Sequence, residues 1–367
     1  MSAAFAIVLA GGGGTRLWPA SRRRRPKQLL RLGGDESLLA AAVRRAGAFT
    51  PAERILVVTA ADQEPQIRRE LPGLPPENII AEPGPRNTAA AVGLGAAVAH
   101  RRAGAEALLA VLPADPHIAD EDGFAATISV ALSEARHTIT TIGIRPTHAE
   151  TGFGYIRLGR RPANGGAAPT GAPPAPAVHE VSAFVEKPDR ATAERYVSSG
   201  DYLWNSGMFF LTAGRMMEEA RRHLPELGRA LDALLAARDF EATVAAIYPQ
   251  VPAISIDNGI MERASGLRVV VGDFGWNDVG SWAALSAIRP PDARGNVLVG
   301  AATLIDGSGN VVVSEAGEGA PFVGVVGVHD LVVIATADAI LVIPKDRAQD
   351  VRQIVEAAKK AGRDDLL

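Results

Sequence analysis

Cysteine is absent from the 367 residues, which excludes disulfides, thiol nucleophiles and thiolate metal sites. No apolar run approaches the roughly 18 residues needed to span a bilayer, so no membrane partner is expected. The apolar stretch near the start is too short, and lacks the basic flank, to act as a signal peptide. A basic footprint is missing too: the formal net charge is -3, which argues against nucleic acid as a partner. Lysine is scarce, with five among 38 basic residues. Ahead of the C-terminal tail only Lys27 and Lys187 remain, each beside a proline. In a chain that uses Arg almost everywhere, a retained Lys points to a site wanting a compact ammonium. The 47% hydrophobic content gives material for one large core and a smaller one. A cytoplasmic location is expected.

The chain is organised around residues 9–30, LAGGGGTRLWPASRRRRPKQLL. They follow an apolar run, residues 5–10, with the length and composition of a buried strand. Gly11, Gly12, Gly13 and Gly14 allow a tight turn whose amides approach a ligand closely, and adjacent amides at a strand end make a concave anion site. Arg16, the Arg22 to Arg25 run and Lys27 add positive charge. The stretch reads as a polyphosphate loop. It is neither a Walker loop, which needs a Gly-Lys-Ser/Thr ending, nor a dinucleotide fingerprint, which needs glycine where Arg16 stands.

Strands and helices alternate from here to residue 144, predicting a mostly parallel sheet within a mixed α/β, Rossmann-like domain. Ser37 should cap a helix over 38–46 that Gly47 closes. Strands are expected over 54–59, 78–81, 107–112 and 138–144. Glu82, in EPGPRNT, sits at a strand end, where such sheets place ligands. Asn87 or Thr88 either caps the Ala-rich helix that follows or touches a ligand. Asp115, in LPADP, closes another strand and is read as a metal ligand or as a turn cap. Asp278, in NDVGSW, is likewise either a metal ligand or a helix cap. Two carboxylates with phosphate oxygens and water suit Mg²⁺. In WNSGMFF, Asn205 interrupts an apolar strand, so either backbone pairing or a sugar-like ligand must satisfy it. Tyr155 is expected in the core. Residues 161–177, rich in Pro, Gly and Ala, read as a loop tip inserted in a hairpin. From residue 290 short β segments between glycines suggest a partial β-helix, followed by a final amphipathic helix. Its exposed edges make a dimer surface, so a homodimer is expected. The domains divide as 1–289 and 290–367.

These motifs, in this order and over nearly the whole length, resemble the sugar-1-phosphate nucleotidylyltransferases. WNSGMFF, RNTA and NDVGSW place the resemblance in the mannose-1-phosphate guanylyltransferase branch, in its short form without a fused isomerase. The resemblance implies transfer of GMP from GTP to mannose-1-phosphate with Mg²⁺. Leu9, the four glycines and Thr15 would cradle the nucleotide, with Glu82 and Pro83 toward the base and Asn87 and Asp115 also in contact. Arg16 would hold the triphosphate and Lys27 the phosphates at the reacting centre. Asp115 and Asp278 would bind Mg²⁺. Gly154, Glu186, Lys187, Asn205 and Asp278 would serve the sugar phosphate, Lys187 by its phosphate.

The chain departs from the family in three places. Pro116 follows Asp115 where His is usual, Asn258 replaces an aromatic beside Asp257, and the 161–177 insert has no counterpart. The reaction such motifs imply needs positioned charge rather than an acid–base pair, in keeping with the missing Ser-His and Cys constellations. Other sugar phosphates or nucleotides are the alternatives, among them glucose-1-phosphate with dTTP or UTP and heptose-1-phosphate with GTP. A silent GDP-mannose-binding regulatory paralogue is another.

Overall fold

The computed structural model describes residues 3–12, 14–162, 175–315 and 319–367. Gly13 and most of the 161–177 insert therefore lie outside the described residues. The chain packs as two compact units that interleave in sequence: residues 1–11, 42–114 and 120–276, and residues 12–41, 115–119 and 277–367.

The first unit is built on one nine-stranded mixed sheet. Its strands are β1 (Ala4–Leu9), β2 (Ile55–Ala60), β3 (Ile79–Glu82), β4 (Leu108–Pro113), β5 (Thr140–Ile144), β6 (Tyr155–Leu158), β7 (Val178–Val185), β8 (Tyr202–Thr212) and β9 (Arg268–Gly272), in the order β3-β2-β1-β4-β8-β5-β9-β7-β6. Pairing is parallel from β3 through β4, with Ile7 beside both Leu56 and Val111, and again between β5 and β9. The parallel strands β1, β2 and β4 are apolar without alternation and almost wholly buried, as a sheet covered on both faces requires. The long strand β8 enters antiparallel between β4 and β5, and the β6–β7 hairpin adds further antiparallel pairing. Antiparallel pairing is thus a larger share of the sheet than strand–helix alternation implied, because alternation stops at β5.

The helix Asn87–Ala103 carries buried residues around most of its circumference, which is why it is written in Ala and Gly. It shares one core with β1, β2 and β4 and with the helices Ala213–His223 and Pro225–Ala236. Tyr155 is fully buried, as expected.

The second unit is a β coil. Strands β10 (Val297–Val299), β12 (Val311–Ser314) and β14 (Leu331–Ala335) stack in parallel, as do β11 (Ala302–Ile305) and β13 (Val323–Val326), while β15 (Ile340–Pro344) closes antiparallel on β14. Asn296 Oδ1 accepts from Asn310 N, and Asn310 Oδ1 accepts from Leu331 N, so buried amides tie successive turns. The coil's core includes Val297, Val311, Val332 and Ile334 together with Leu17, Trp18, Leu30 and Trp282. The segment following the glycines therefore packs with the C-terminal strands. The helix Val351–Lys360 turns Val351 and Val355 into the same core.

Candidate functional site

In the second unit the glycine loop continues into a single turn, Thr15–Leu17. Gly14 opens it at φ 52, a left-handed conformation that suits glycine. A Cβ there would stand 2.6 Å from Ser21 Oγ and 2.7 Å from Lys27 Cβ. Gly12 differs: nothing lies within 4 Å of where its Cβ would be.

Lys27 starts the turn Lys27–Leu29 and is 7% exposed. Its ammonium donates to Asp115 Oδ2 at 2.8 Å and to the Asp278 carbonyl oxygen. Asp278 Oδ1 accepts from Gly280 N at 3.2 Å, whereas the next helical turn, Trp282–Ala284, is capped at Ser281. Helix capping is thus not what Asp278 does. Burial pushes its carboxyl above the ordinary range, Lys27 and Arg16 pull it back, and Asp115 pushes it up again. Arg16, Lys27 and Asp115 line a cavity of about 160 Å³ with Gly12 and Gly14, and the Asp278 carboxyl feels all three charges. Among the described residues no carboxylate pairs with Arg16. Thr15 is exposed. The donor set is oxygen-only, and Mg²⁺ takes one or two carboxylates with phosphate oxygens, so these residues fit that ion.

The arginine run does not line this cavity. Arg22 forks onto Asp338 with both Nη atoms at 2.6 Å, and Arg25 pairs with Glu315. Their charge is taken up by the C-terminal strands rather than offered to an anion.

In the first unit a second group forms where β8 bulges. Register slips between Thr141 and Gly143, Gly207 takes φ 73, and Ser206 Oγ donates to the Ile142 carbonyl. Bulges re-aim side chains beside functional sites. Asn205 N donates to Gly154 O, its Oδ1 accepts from Gly207 N, and its Nδ2 donates to Asp257 Oδ1 at 2.8 Å. Backbone and side-chain partners within the protein thus satisfy the Asn205 side chain without a ligand. Glu186 lies against Gly154, where any Cβ would collide with Glu186 Oε2. That Oε2 is buried and has no hydrogen-bond partner among the described residues. Lys187, exposed at φ 48, donates to Glu186 Oε1 at 2.9 Å. Burial and the neighbouring Glu186 push the Asp257 carboxyl up to about 6.

From sequence Asp257 is an acidic position carried over only weakly, because Asn258 departs from the family beside it, and Glu262 and Tyr248 are not marked at all. Glu262 Oε1 accepts from Glu186 N at 3.2 Å, and Asn258 Nδ2 donates to Glu262 Oε2. Tyr248 donates to Glu82 Oε1 at 2.5 Å. Glu82 is buried, and burial raises its pKa despite that hydrogen bond. Its other oxygen faces the Cα of Gly11. The main-chain oxygen of Leu9 accepts from Ala114 N. Pro83 and Asn87 are exposed. Asn87 Oδ1 accepts only the adjacent Thr88 amide, while Thr88 Oγ1 accepts from Ile256 N, so neither side chain caps its helix in the usual way.

Paired carboxylates and a lysine beside a glycine loop suit a nucleotide-handling transferase. Residues 5–294 match the nucleotidyl transferase family, to which the chain belongs, and residues 300–357 match the MannoseP isomerase/GMP-like beta-helix domain. A mannose-1-phosphate guanylyltransferase of Escherichia coli K12 is 38% identical over 98% of this chain and 74% of its own length. The xanthan biosynthesis protein XanB of Xanthomonas campestris pv. campestris strain B100 is 39% identical over 99% of this chain and 75% of its own. A crystal structure described as a mannose-1-phosphate geranyltransferase from Thermus thermophilus superposes with a TM-score of 0.84 at 39% identity, covering 97% of this chain and 99% of that one. Within the nucleotidyl transferases the chain falls in the family of mannose-1-phosphate guanylyltransferases.

Proposed function

We propose that the protein transfers GMP from GTP to mannose-1-phosphate, giving GDP-mannose and pyrophosphate. The observation that carries this reading is the Lys27–Asp115–Asp278 group, with Arg16, Lys27 and Asp115 lining one small cavity. Family membership supports it.

The nucleophile needs little activation. A phosphate monoester has a second pKa of about 6, so at neutral pH mannose-1-phosphate is largely dianionic. One of its oxygens forms the new bond to the α-phosphorus as the bond to the β-phosphate oxygen breaks, and pyrophosphate leaves with that electron pair. Arg16 neutralises the departing pyrophosphate and Lys27 the reacting phosphates, charge fixed in place before the reaction begins. Gly11, Gly12, Gly14 and Thr15 carry the nucleotide, and Glu82 lies on its base side. Glu186 and Asn205 receive sugar hydroxyls, and Lys187 the sugar phosphate. Asp115 and Asp278 would hold Mg²⁺, which supplies charge neutralisation on the triphosphate. No side chain acts as a covalent carrier, so kinetics are sequential.

The exposed Ile305, Val326, Ile340 and Val342 on the C-terminal strands support the homodimer reading, which sedimentation tests. Among the described residues no helix is long and apolar enough to cross a membrane.

The deciding experiment is pyrophosphate release across a matrix of four NTPs and several sugar-1-phosphates. Release confined to GTP with mannose-1-phosphate is the expected result. Turnover with another pair would reassign the substrate, and turnover with none would favour a regulatory paralogue.

A further inference from the structure

The four-arginine run is the one strong sequence feature that the reaction does not use. Its first member is almost fully engaged. Arg22 Nε donates to the Pro19 carbonyl at 2.9 Å, and its two Nη atoms form a fork on Asp338 at 2.6 Å each. Nη1 also reaches the Asp365 carbonyl at 3.1 Å. Such bidentate pairs are among the stronger and more directional charge-assisted contacts. The Asp338 carboxyl is accordingly held below its usual range, chiefly by the hydrogen bond from Arg22.

Trp18 is fastened at both ends. Its indole N–H donates to the Leu366 carbonyl at 2.8 Å, and its own carbonyl accepts the Trp282 indole N–H at 2.9 Å. Leu17, one residue earlier, is fully buried in the β-coil core. Arg16 stands on the same turn, immediately before Leu17. Its guanidinium has no carboxylate partner among the described residues. What the protein fixes is the point from which that side chain starts, through the turn's backbone.

We propose that Trp18 and Arg22 are positioning residues. They fasten the Thr15–Leu17 turn to the C-terminal segment at Asp338 and residues 365–366, and so set where the Arg16 guanidinium stands. The C-terminal β coil then belongs to the triphosphate site as its scaffold. This rests on the reading of Arg16 as the triphosphate contact. A guanidinium displaced by a fraction of an ångström holds the bound triphosphate less tightly, both before reaction and as the pyrophosphate leaves.

Three substitutions separate position from stability. Trp18→Phe keeps an aromatic ring in the core and removes the N–H donor along with part of the indole. Arg22→Ala removes the fork, and Arg22→Lys keeps the charge without bidentate geometry. Two measurements are made. Hydrogen exchange on ligand-free protein should quicken at residues 14–21 in Trp18→Phe and Arg22→Ala and stay unchanged in β10, β12 and β14. Steady-state kinetics should show KM for GTP rising about tenfold, KM for mannose-1-phosphate unchanged, and Arg22→Lys in between. The proposal is overturned if exchange at 14–21 does not change, if it quickens equally throughout the coil, or if both KM values move together. Should the wild type turn over no GTP, the functional reading falls, and the exchange result alone still decides whether these residues hold the turn.

Discussion

Lys27 Nζ lies 2.8 Å from Asp115 Oδ2, with the lysine side chain 9% exposed and the aspartate 44% exposed. A nearly buried ammonium is thus tied to a carboxylate that still meets solvent, and it also donates to the Asp278 main-chain oxygen. Removing it should be felt mainly in the chemistry. Lys27→Met should lower kcat/KM at least about 100-fold, the usual effect of deleting one preorganised charge-stabilising donor. Lys27→Arg should recover little, because a planar fork replaces the compact ammonium that meets both Asp115 Oδ2 and the Asp278 carbonyl. Initial-rate measurements with circular dichroism as the fold control check both.

Gly12 and Gly14 should separate binding from stability. Gly14→Ala forces an L-residue to φ 52 and pushes a methyl into Ser21 Oγ and Lys27 Cβ. We expect a loss of about 2–3 kcal/mol, read from the denaturant midpoint. Gly12→Ala meets no protein atom within 4 Å, so stability should stay within about 0.5 kcal/mol. If that open face receives the nucleotide, GTP affinity should nonetheless fall about tenfold, which calorimetry would register.

How far the sequence discloses this site depends on whether a residue's role is local. The apolar run before the glycines, Asp115 closing LPADP and Asn205 inside an apolar strand all mark their positions by contrast with their neighbours. The Arg22–Asp338 fork joins residues 316 positions apart, and the Tyr248–Glu82 bond spans 166. Neither leaves a local trace. A run of arginines looks the same in sequence whether it faces phosphate, water or a distant carboxylate. Asp257 was similarly hidden, because its meaning lies in the Asn205 amide 52 residues earlier.

Asp257 gives a pH prediction with a definite sign. Burial, then Glu186, raise its pKa from 3.8 to about 6. A raised carboxyl favours the folded state while protonated, so that stability is complete below pH 3.8 and is lost as pH climbs through about 6. The shift amounts to about 3 kcal/mol at most. Asp257→Asn cannot ionise, and its amide oxygen can still accept from Asn205. The variant should match the wild type near pH 4 and exceed it in stability above pH 7, as urea titrations across that range would reveal. A constant difference at all pH values would refute the assignment.

At Gly154 the expected effect is confined to one substrate. A methyl there would collide with Glu186 Oε2 and stand 3.2 Å from Asn205 Cβ. Glu186 must then turn away from the position it shares with Lys187 and Asp257. Gly154→Ala should raise KM for mannose-1-phosphate about tenfold or more and leave KM for GTP unchanged.

Asp278 and Asp115 should respond differently to the same chemical change. Asp278 is the more enclosed, and burial raises its pKa against the pull of Lys27 and Arg16. Asp278→Asn removes a buried negative charge but retains an oxygen that can accept from Gly280 N, so its folded state should be at least as stable as the wild type. Asp115 is the direct partner of Lys27 and is partly exposed. Asp115→Asn leaves a nearly buried ammonium with neutral acceptors and no counter-charge in direct contact, so its stability should drop by about 1–3 kcal/mol. Both variants lose a hard oxygen anion of the kind Mg²⁺ prefers. Both should therefore lose turnover by about 100-fold or more, and raising the Mg²⁺ concentration should restore only a small part of it. Thermal melts and rates measured over a Mg²⁺ series separate the two effects. If Asp278→Asn kept wild-type turnover at low Mg²⁺, its place as a metal ligand would be lost, and its carboxylate would serve only to balance Arg16 and Lys27.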